Sequence, residues 1–133
     1  MSFDSQFGFL RRVLFADAIS SAAMGVLLLS FNAPLAAMFS LPVELLREAG
    51  WILLPFAGFV AYVASRAIPS RKLVWTIMGL NAVWIVDSVL LLFSESVEPN
   101  AFGQAFVVAQ AIFVLVMTEL EYMGLKRSMP TAR

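Results

Sequence analysis

Apolar residues occur along this chain in four long runs that contain almost no charge. The runs cover residues 13–31, 49–65, 73–93 and 101–118. Asp17 and Asp87 are the only charged residues inside them. Each run is close to the about 20 residues with which a helix crosses a hydrocarbon core about 30 Å thick. Because backbone amides find no water in lipid, and no segment alternates polar and apolar residues as a membrane strand does, the pattern predicts four transmembrane helices.

The predicted helices form one transmembrane domain over residues 1–133, with spans at about 10–31, 49–68, 73–93 and 101–124. We expect an all-α fold, an integral membrane four-helix bundle. Residues 32–48 are too apolar and too numerous for a plain loop. They predict a short interfacial helical segment between helices 1 and 2, with Pro34 and Pro42 each at a first helical position. Residues 69–72 predict a tight turn.

Composition also indicates that lipid, and not water, surrounds most of the surface of this protein. The hydrophobic fraction of the 133 residues is 61% and the charged fraction is 14%. Soluble domains average roughly 45–50% and about 25%. A water-soluble domain of this size has too large a surface for its volume to bury so many apolar side chains.

Basic residues collect at one end of the predicted bundle. Eight of the nine lie before the first span, between the second and third, or after the fourth: Arg11, Arg12, Arg66, Arg71, Lys72, Lys126, Arg127 and Arg133. The connections at the other end are net negative and carry Glu44, Arg47, Glu48, Glu95 and Glu98. The positive-inside rule therefore predicts that both termini are cytoplasmic.

Several classes of function are excluded or disfavoured by composition. Nine basic and nine acidic residues give a formal net charge of zero, which argues against a nucleic-acid partner. The chain has no Cys and no His, which excludes thiol nucleophiles, Cys/His zinc sites and imidazole acid–base chemistry. It also lacks a Gly-rich phosphate loop and carboxylates at metal-ligand spacing. We expect no enzyme activity, no cofactor and no metal.

Polar residues inside the spans are the candidates for function, because a charge at mid-bilayer costs at least about 2.5–3.5 kcal/mol. A rise of about 1.5 Å per residue puts three of them at similar depth in the cytoplasmic third, and a fourth, Arg66, nearer the same surface with a long side chain, so that each helix supplies one. These are Asp17, Arg66, Asn81 and Glu119. We expect them to meet in one polar layer.

Two further polar residues, Asp87 and Gln110, belong to the outer third of the membrane. Asp87 points about a third of a turn away from the face that Asn81 and Ser88 share. Two interpretations remain open for both layers. In the first, Asp17 and Asp87 belong to a proton- or cation-responsive pathway. In the second, an ion pair of Arg66 with Asp17 or Glu119, and hydrogen bonds from Asn81 and Gln110, fix the helix register.

Small residues at four-residue spacing predict where helices approach each other closely in lipid. Three such stripes occur, on the first, second and fourth spans: Ser21 with Gly25, Ala57 with Ala61 and Ser65, and Ala101 with Ala105 and Ala109. They are typical of contact surfaces within a subunit or between subunits.

Short segments of the chain resemble small bacterial four-helix membrane families that are loosely similar to the DoxX-like group. The first span carries Leu10–Leu14 (LRRVL), Asp17-Ala18 and Met24–Leu28 (MGVLL). The layout is also similar, with an apolar outer segment at Pro34–Pro42 and then Leu53–Phe56 (LLPF) in the second span. The resemblance implies a bacterial inner-membrane location and no defined catalytic residues.

Three functions are compatible with this pattern. The first is a non-enzymatic accessory or interaction protein, whose partner besides the lipid bilayer is a second copy or another membrane protein. The second is a small transporter or channel that uses Asp17, Asn81 and Asp87 as a polar path. The third is a lipid or quinone binder at the outer mouth formed by residues 32–48.

Overall fold

The computed structural model describes the backbone of residues 2–128 and the side chains from residue 7 onward. Arg133, part of the charge pattern above, lies outside the described residues. The described chain is five helices without a strand: α1 (Ser2–Ser30), α2 (Asn32–Phe39), α3 (Val43–Ser65), α4 (Arg71–Phe93) and α5 (Ala101–Arg127). All except α2 are long and apolar enough to cross a membrane. The prediction of an all-α, multi-pass membrane bundle is confirmed.

The helix ends differ from the predicted ones where local capping decides them. The turn after α3 covers residues 66–70, earlier than predicted, because the Ser70 hydroxyl accepts a hydrogen bond from the Leu73 amide (3.4 Å) and starts α4 at Arg71. Residues 43–48 belong to α3, so the separate interfacial helix is α2 alone. Pro42 is the N-cap of α3, and Pro34 is the third residue of α2, not the first.

The four long helices pack as an antiparallel bundle in which α1 is central. α1 packs along α3 and against α5, α4 packs against α5, and α3 touches α4 only lightly. The first half of α1 shares a core with the end of α3, the start of α4 and the end of α5, and its fully buried members include Leu10, Val63, Val74 and Leu125. We call this the termini end of the bundle. A second core at the opposite end, the α2 end, includes Leu28, Leu46 and Val107.

Glycines allow the closest contacts between α1 and its neighbours. Gly25 and Gly50 face each other where α1 meets α3: a Cβ at Gly50 would lie 2.8 Å from Leu29 Cγ and 3.1 Å from the Gly25 carbonyl oxygen. Gly25 belongs to the predicted stripe of small residues, and Ala57 of the second stripe is also buried. The third stripe, Ala101 with Ala105 and Ala109, is exposed on α5.

The short helix α2 is docked over the start of α5. It ends at Ser40, which has a left-handed backbone conformation (φ 56°). The Asn100 side chain joins the two helices, because its amide donates to the Met38 carbonyl (2.8 Å) while its carbonyl caps Gly103 N (2.8 Å). The Phe39 ring stacks on Phe106 with centroids 4.7 Å apart. These contacts anchor the α1–α3 connection to the bundle.

Candidate functional site

Asp17 lies inside the bundle, in the middle of α1. Its side chain is 5% exposed. The Ser21 hydroxyl, one turn further along α1, donates to Asp17 Oδ1 (3.4 Å). The Asn81 side-chain amide on α4 donates to Asp17 Oδ2 (3.4 Å). The expected meeting of Asp17 with Asn81 is confirmed.

The same Asn81 nitrogen also holds an acid from α5. Asn81 is 4% exposed, and its Nδ2 donates to Glu121 Oε1 (3.2 Å). Glu121 is completely buried, and its other oxygen, Oε2, has no hydrogen-bond partner among the described residues. We call Asp17, Ser21, Asn81 and Glu121 the acid cluster. It links α1, α4 and α5.

Two residues expected in this layer lie elsewhere, and that part of the prediction is wrong. Glu119 is exposed, because a helix turns by about 200° over two residues, so that burying Glu121 leaves Glu119 outside. Arg66 is the exposed C-cap of α3, with its guanidinium 5.5 Å from the centre of the Tyr62 ring. The ion pair that the described residues form is Arg47–Glu44 (2.7 Å), at the α2 end. The expected pairing of Arg66 with Asp17 or Glu119 is absent there.

Sequence reasoning missed Glu121, although a signal for it exists. Residues that line the inner face of α5 recur at alternating spacings of four and three, and this series contains both of the helix's glycines: Gly103, Val107, Gln110, Val114, Met117, Glu121 and Gly124. Gly124 is where α5 comes closest to α1, since a Cβ there would lie 3.0 Å from Leu10 Cα. A helix rotated to place both glycines inward buries Glu121.

A second polar layer, nearer the α2 end, joins α4 to α5. The Trp84 indole donates to Gln110 Oε1 (2.7 Å), and Gln110 Nε2 donates to the Ser88 hydroxyl (2.9 Å). Gln110 therefore fixes the register of two helices, as one of the two interpretations expected. Every polar atom in these bonds has a partner, so the layer is a cross-link between the helices.

Asp87 is separate from both layers. It is exposed, although Ser88 beside it is buried, so the expected third of a turn between them places the carboxylate on the outer surface of α4. The surrounding surface is apolar, with Val83, Val86 and Leu90 each more than half exposed. The path from Asp17 and Asn81 to Asp87 does not run within the bundle.

The polar groups that the described residues bring together inside the bundle are two carboxyl groups, side-chain amides, hydroxyls and an indole. No group of three or more acidic side chains comes together there as a metal site requires. The grooves between α4 and α5, at Ser88 and Val107, and between α1 and α3, at Ala18 and Ala57, have almost entirely apolar walls. Comparison with known proteins found no match among family models, curated proteins or solved structures. The resemblance to DoxX-like families stays a prediction.

Proposed function

We propose that this chain is a non-enzymatic accessory protein of a bacterial inner membrane, with both termini in the cytoplasm, that binds another membrane protein through the surface around Asp87. We call this surface, formed by Val83, Val86, Asp87 and Leu90, the Asp87 face. The observation that carries the proposal is an acidic side chain exposed within a transmembrane helix. The positive-inside rule supports the orientation, and the resemblance to bacterial families supports the membrane.

Asp87 lies within the α4 span and not at its end. It precedes the end of α4 at Phe93 by six residues, or about 9 Å along the helix. The aspartate side chain is too short to reach the interface from there as a lysine or arginine does. Acids within membrane spans almost always face the bundle interior or a partner, because lipid solvates them poorly. A partner that covers Asp87 removes this cost.

The chemistry of the partner follows from the charges available. A second copy of the chain would bring a second Asp87 and no cation at this depth, because the described basic residues lie at the termini end, except for Arg47. Arg47 is paired with Glu44 at the α2 end. We therefore infer a different membrane protein with Lys, Arg or His inside one of its spans. Such a pair is stabilised by charge-assisted hydrogen bonding in a medium of low dielectric constant.

The two other functions have weaker support. A polar path needs Asp87 inside the bundle with Asp17 and Asn81, whereas it lies on the outer surface of α4. A lipid or quinone site at residues 32–48 needs an open mouth, whereas α2 is docked on α5 through Asn100 and Phe106. The accessory function needs only the exposed carboxylate and its apolar surroundings.

Site-specific photo-crosslinking in native membranes tests the proposal. A photoreactive side chain at position 83 or 90 lies on the Asp87 face, and one at exposed Ile112 on α5 is the matched control. We expect positions 83 and 90, but not 112, to form an adduct with a different membrane protein. Mass spectrometry should place the joined segment beside a basic residue in one of that protein's spans.

The dependence on charge separates a specific partner from random neighbours. Asp87→Asn should reduce the adduct several-fold, whereas Asp87→Glu, which keeps the charge, should retain it. The thermal stability of the purified chain should not fall in either variant, because Asp87 is not part of the core. An adduct with a second copy, with lipid alone, or one unchanged by Asp87→Asn would overturn the proposal.

A further inference from the structure

The acid cluster contains two buried carboxyl groups and very few groups to satisfy them. Asp17 and Glu121 accept hydrogen bonds from the same nitrogen, Asn81 Nδ2, at 3.4 and 3.2 Å. Because both oxygens accept from one nitrogen atom, the two carboxyl groups are close neighbours. Both carboxyl groups therefore lie against the same amide group in the interior of the bundle.

Of the four carboxyl oxygens of Asp17 and Glu121, one has no hydrogen-bond donor among the described residues. The Asn81 amide has two hydrogens, which serve one oxygen of each carboxyl group. The Ser21 hydroxyl has one, which serves the second oxygen of Asp17. Nothing in the described chain donates to Glu121 Oε2, although it is fully buried. An unpaired oxygen in such a site carries the full cost of losing its hydration.

The two acids of the cluster also have no positive charge beside them among the described residues. The core around the cluster consists of apolar residues of all four long helices, including Leu14, Val60, Ile77 and Leu125. The charged groups nearest to the cluster along each helix point elsewhere, and the nearest on α1 and α4, Arg12 and Asp87, are exposed. Arg11 on α1 donates to the Ala64 carbonyl, Arg66 on α3 and Lys126 on α5 lie over tyrosine rings, and Lys72 on α4 and Glu119 on α5 are exposed. Among the described residues no cation pairs with either acid of the cluster.

We propose that the acid cluster is a binding site for a single proton. One proton bound to Glu121 makes that carboxyl group neutral and turns its unpartnered oxygen into a donor for the Asp17 carboxylate. All four carboxyl oxygens then take part in hydrogen bonds, and one negative charge remains instead of two. Two adjacent acids that share a site rarely ionise together, because each charge opposes the other. The site takes its proton from the surrounding water and releases it there.

Proton binding at this position couples pH to the packing of the termini end. Loss of the proton leaves two adjacent negative charges between α1 and α5, which meet beside the cluster at Leu10 and Gly124. The unfolded chain keeps no such proton at neutral pH, because an exposed glutamate is ionised there. The folded chain thus binds more protons than the unfolded one. The free energy of unfolding should therefore fall as pH rises, with a slope that corresponds to the release of at most one proton.

Infrared spectroscopy of the purified protein in detergent at neutral pH detects the proposed proton. We expect a carbonyl band of a protonated carboxylic acid, shifted in heavy water. The part that corresponds to one carboxyl group should disappear in Glu121→Gln. It should persist in Glu119→Gln, the matched control on the same helix, and in Asp87→Asn. Identical spectra for the wild-type chain and Glu121→Gln would overturn the proposal.

Thermal unfolding gives an independent test that does not depend on band assignment. Glutamine has the shape of a protonated glutamate and supplies a permanent donor, so Glu121→Gln should fold. Its unfolding midpoint should stay nearly constant from mildly acidic to mildly alkaline pH, while that of the wild-type chain and Glu119→Gln falls. An equal fall in all three proteins would refute proton binding here. A second outcome would also refute it. If, at fixed pH, the unfolding midpoint of the wild-type chain is higher in sodium than in choline, and that of Glu121→Gln is not, the site binds a metal cation.

Discussion

At the residue scale, Asn81 and Glu121 show how one side chain decides the position of another. Asn81 is the donor to two carboxyl groups from two other helices. The sequence identified Asp17 and Asn81 because a polar residue inside an apolar run needs an explanation. It named Glu119 in place of Glu121, because position along the chain gives the depth of an acid and not the rotation of α5 about its axis. The contacts of α5 with α1 made the choice.

Replacing Asn81 should be costly. In Asn81→Leu, one oxygen of Asp17 and one of Glu121 lose their donor while they remain buried. We expect the free energy of unfolding to fall by about 1–2 kcal/mol, as measured by denaturant titration in detergent. Thr76→Leu is the control, because Thr76 is exposed on the same helix and its hydroxyl donates only to the Lys72 carbonyl one turn earlier. An equal loss in the two variants would contradict the role assigned to Asn81.

At the scale of the helices, the sequence predicted the approximate length of each span but not the rotation of each helix about its own axis. An amphipathic helix in water reveals its buried face by its apolar stripe. Here both faces are apolar, because lipid and protein interior select similar side chains. The exposed alanine stripe on α5 and the buried glycine contact of α1 with α3 look equivalent in the sequence. Glycine positions carry more of the signal, since close backbone contacts require them.

Gly103 gives a sharp test of how α2 is held. A Cβ at Gly103 would overlap the carbonyl oxygen of Phe39, at the end of α2. Gly103→Ala should therefore push α2 away from α5 and destabilise the chain by about 1–3 kcal/mol. Hydrogen exchange should show faster exchange of the α2 amides.

The matched control for Gly103→Ala is Gly58→Ala, because Gly58 has open space around its Cα. Alanine favours a helix more than glycine does, so this variant should lose no stability. Unchanged exchange in α2 after Gly103→Ala would show that the contact does not hold the helix.

At the scale of the whole molecule, four spans bring the first half of α1 and the end of α5 to the same end of the bundle. Arg127 near the end of α5 lies 4.6 Å from the centre of the Phe9 ring near the start of α1. The same end carries the basic residues Arg11, Arg66 and Lys72. This asymmetry supports the proposed orientation.

Single cysteines test that orientation on a background with no native cysteine. Ala67→Cys lies in the exposed turn between α3 and α4, and Ser96→Cys lies in the exposed connection between α4 and α5. In intact cells, a thiol reagent that cannot cross the membrane should label position 96 and leave position 67 unlabelled. Permeabilised cells should label both. The reverse pattern in intact cells would place the termini outside.

The sequence by itself determined the solvent, the number of spans, their approximate ends and which polar residues needed a partner. These features follow from the cost of placing polar groups in hydrocarbon. That cost limits each span to a run of apolar residues, and such runs can be found from the order of residues along the chain alone. Only the tertiary structure decided that Glu121 joins Asp17 and Asn81, that Arg66 stays outside, and that Asp87 lies on the outer surface of α4. Those outcomes depend on how each helix is rotated about its axis. In lipid that rotation is set by close contacts between helices, which no apolar stripe in the sequence records.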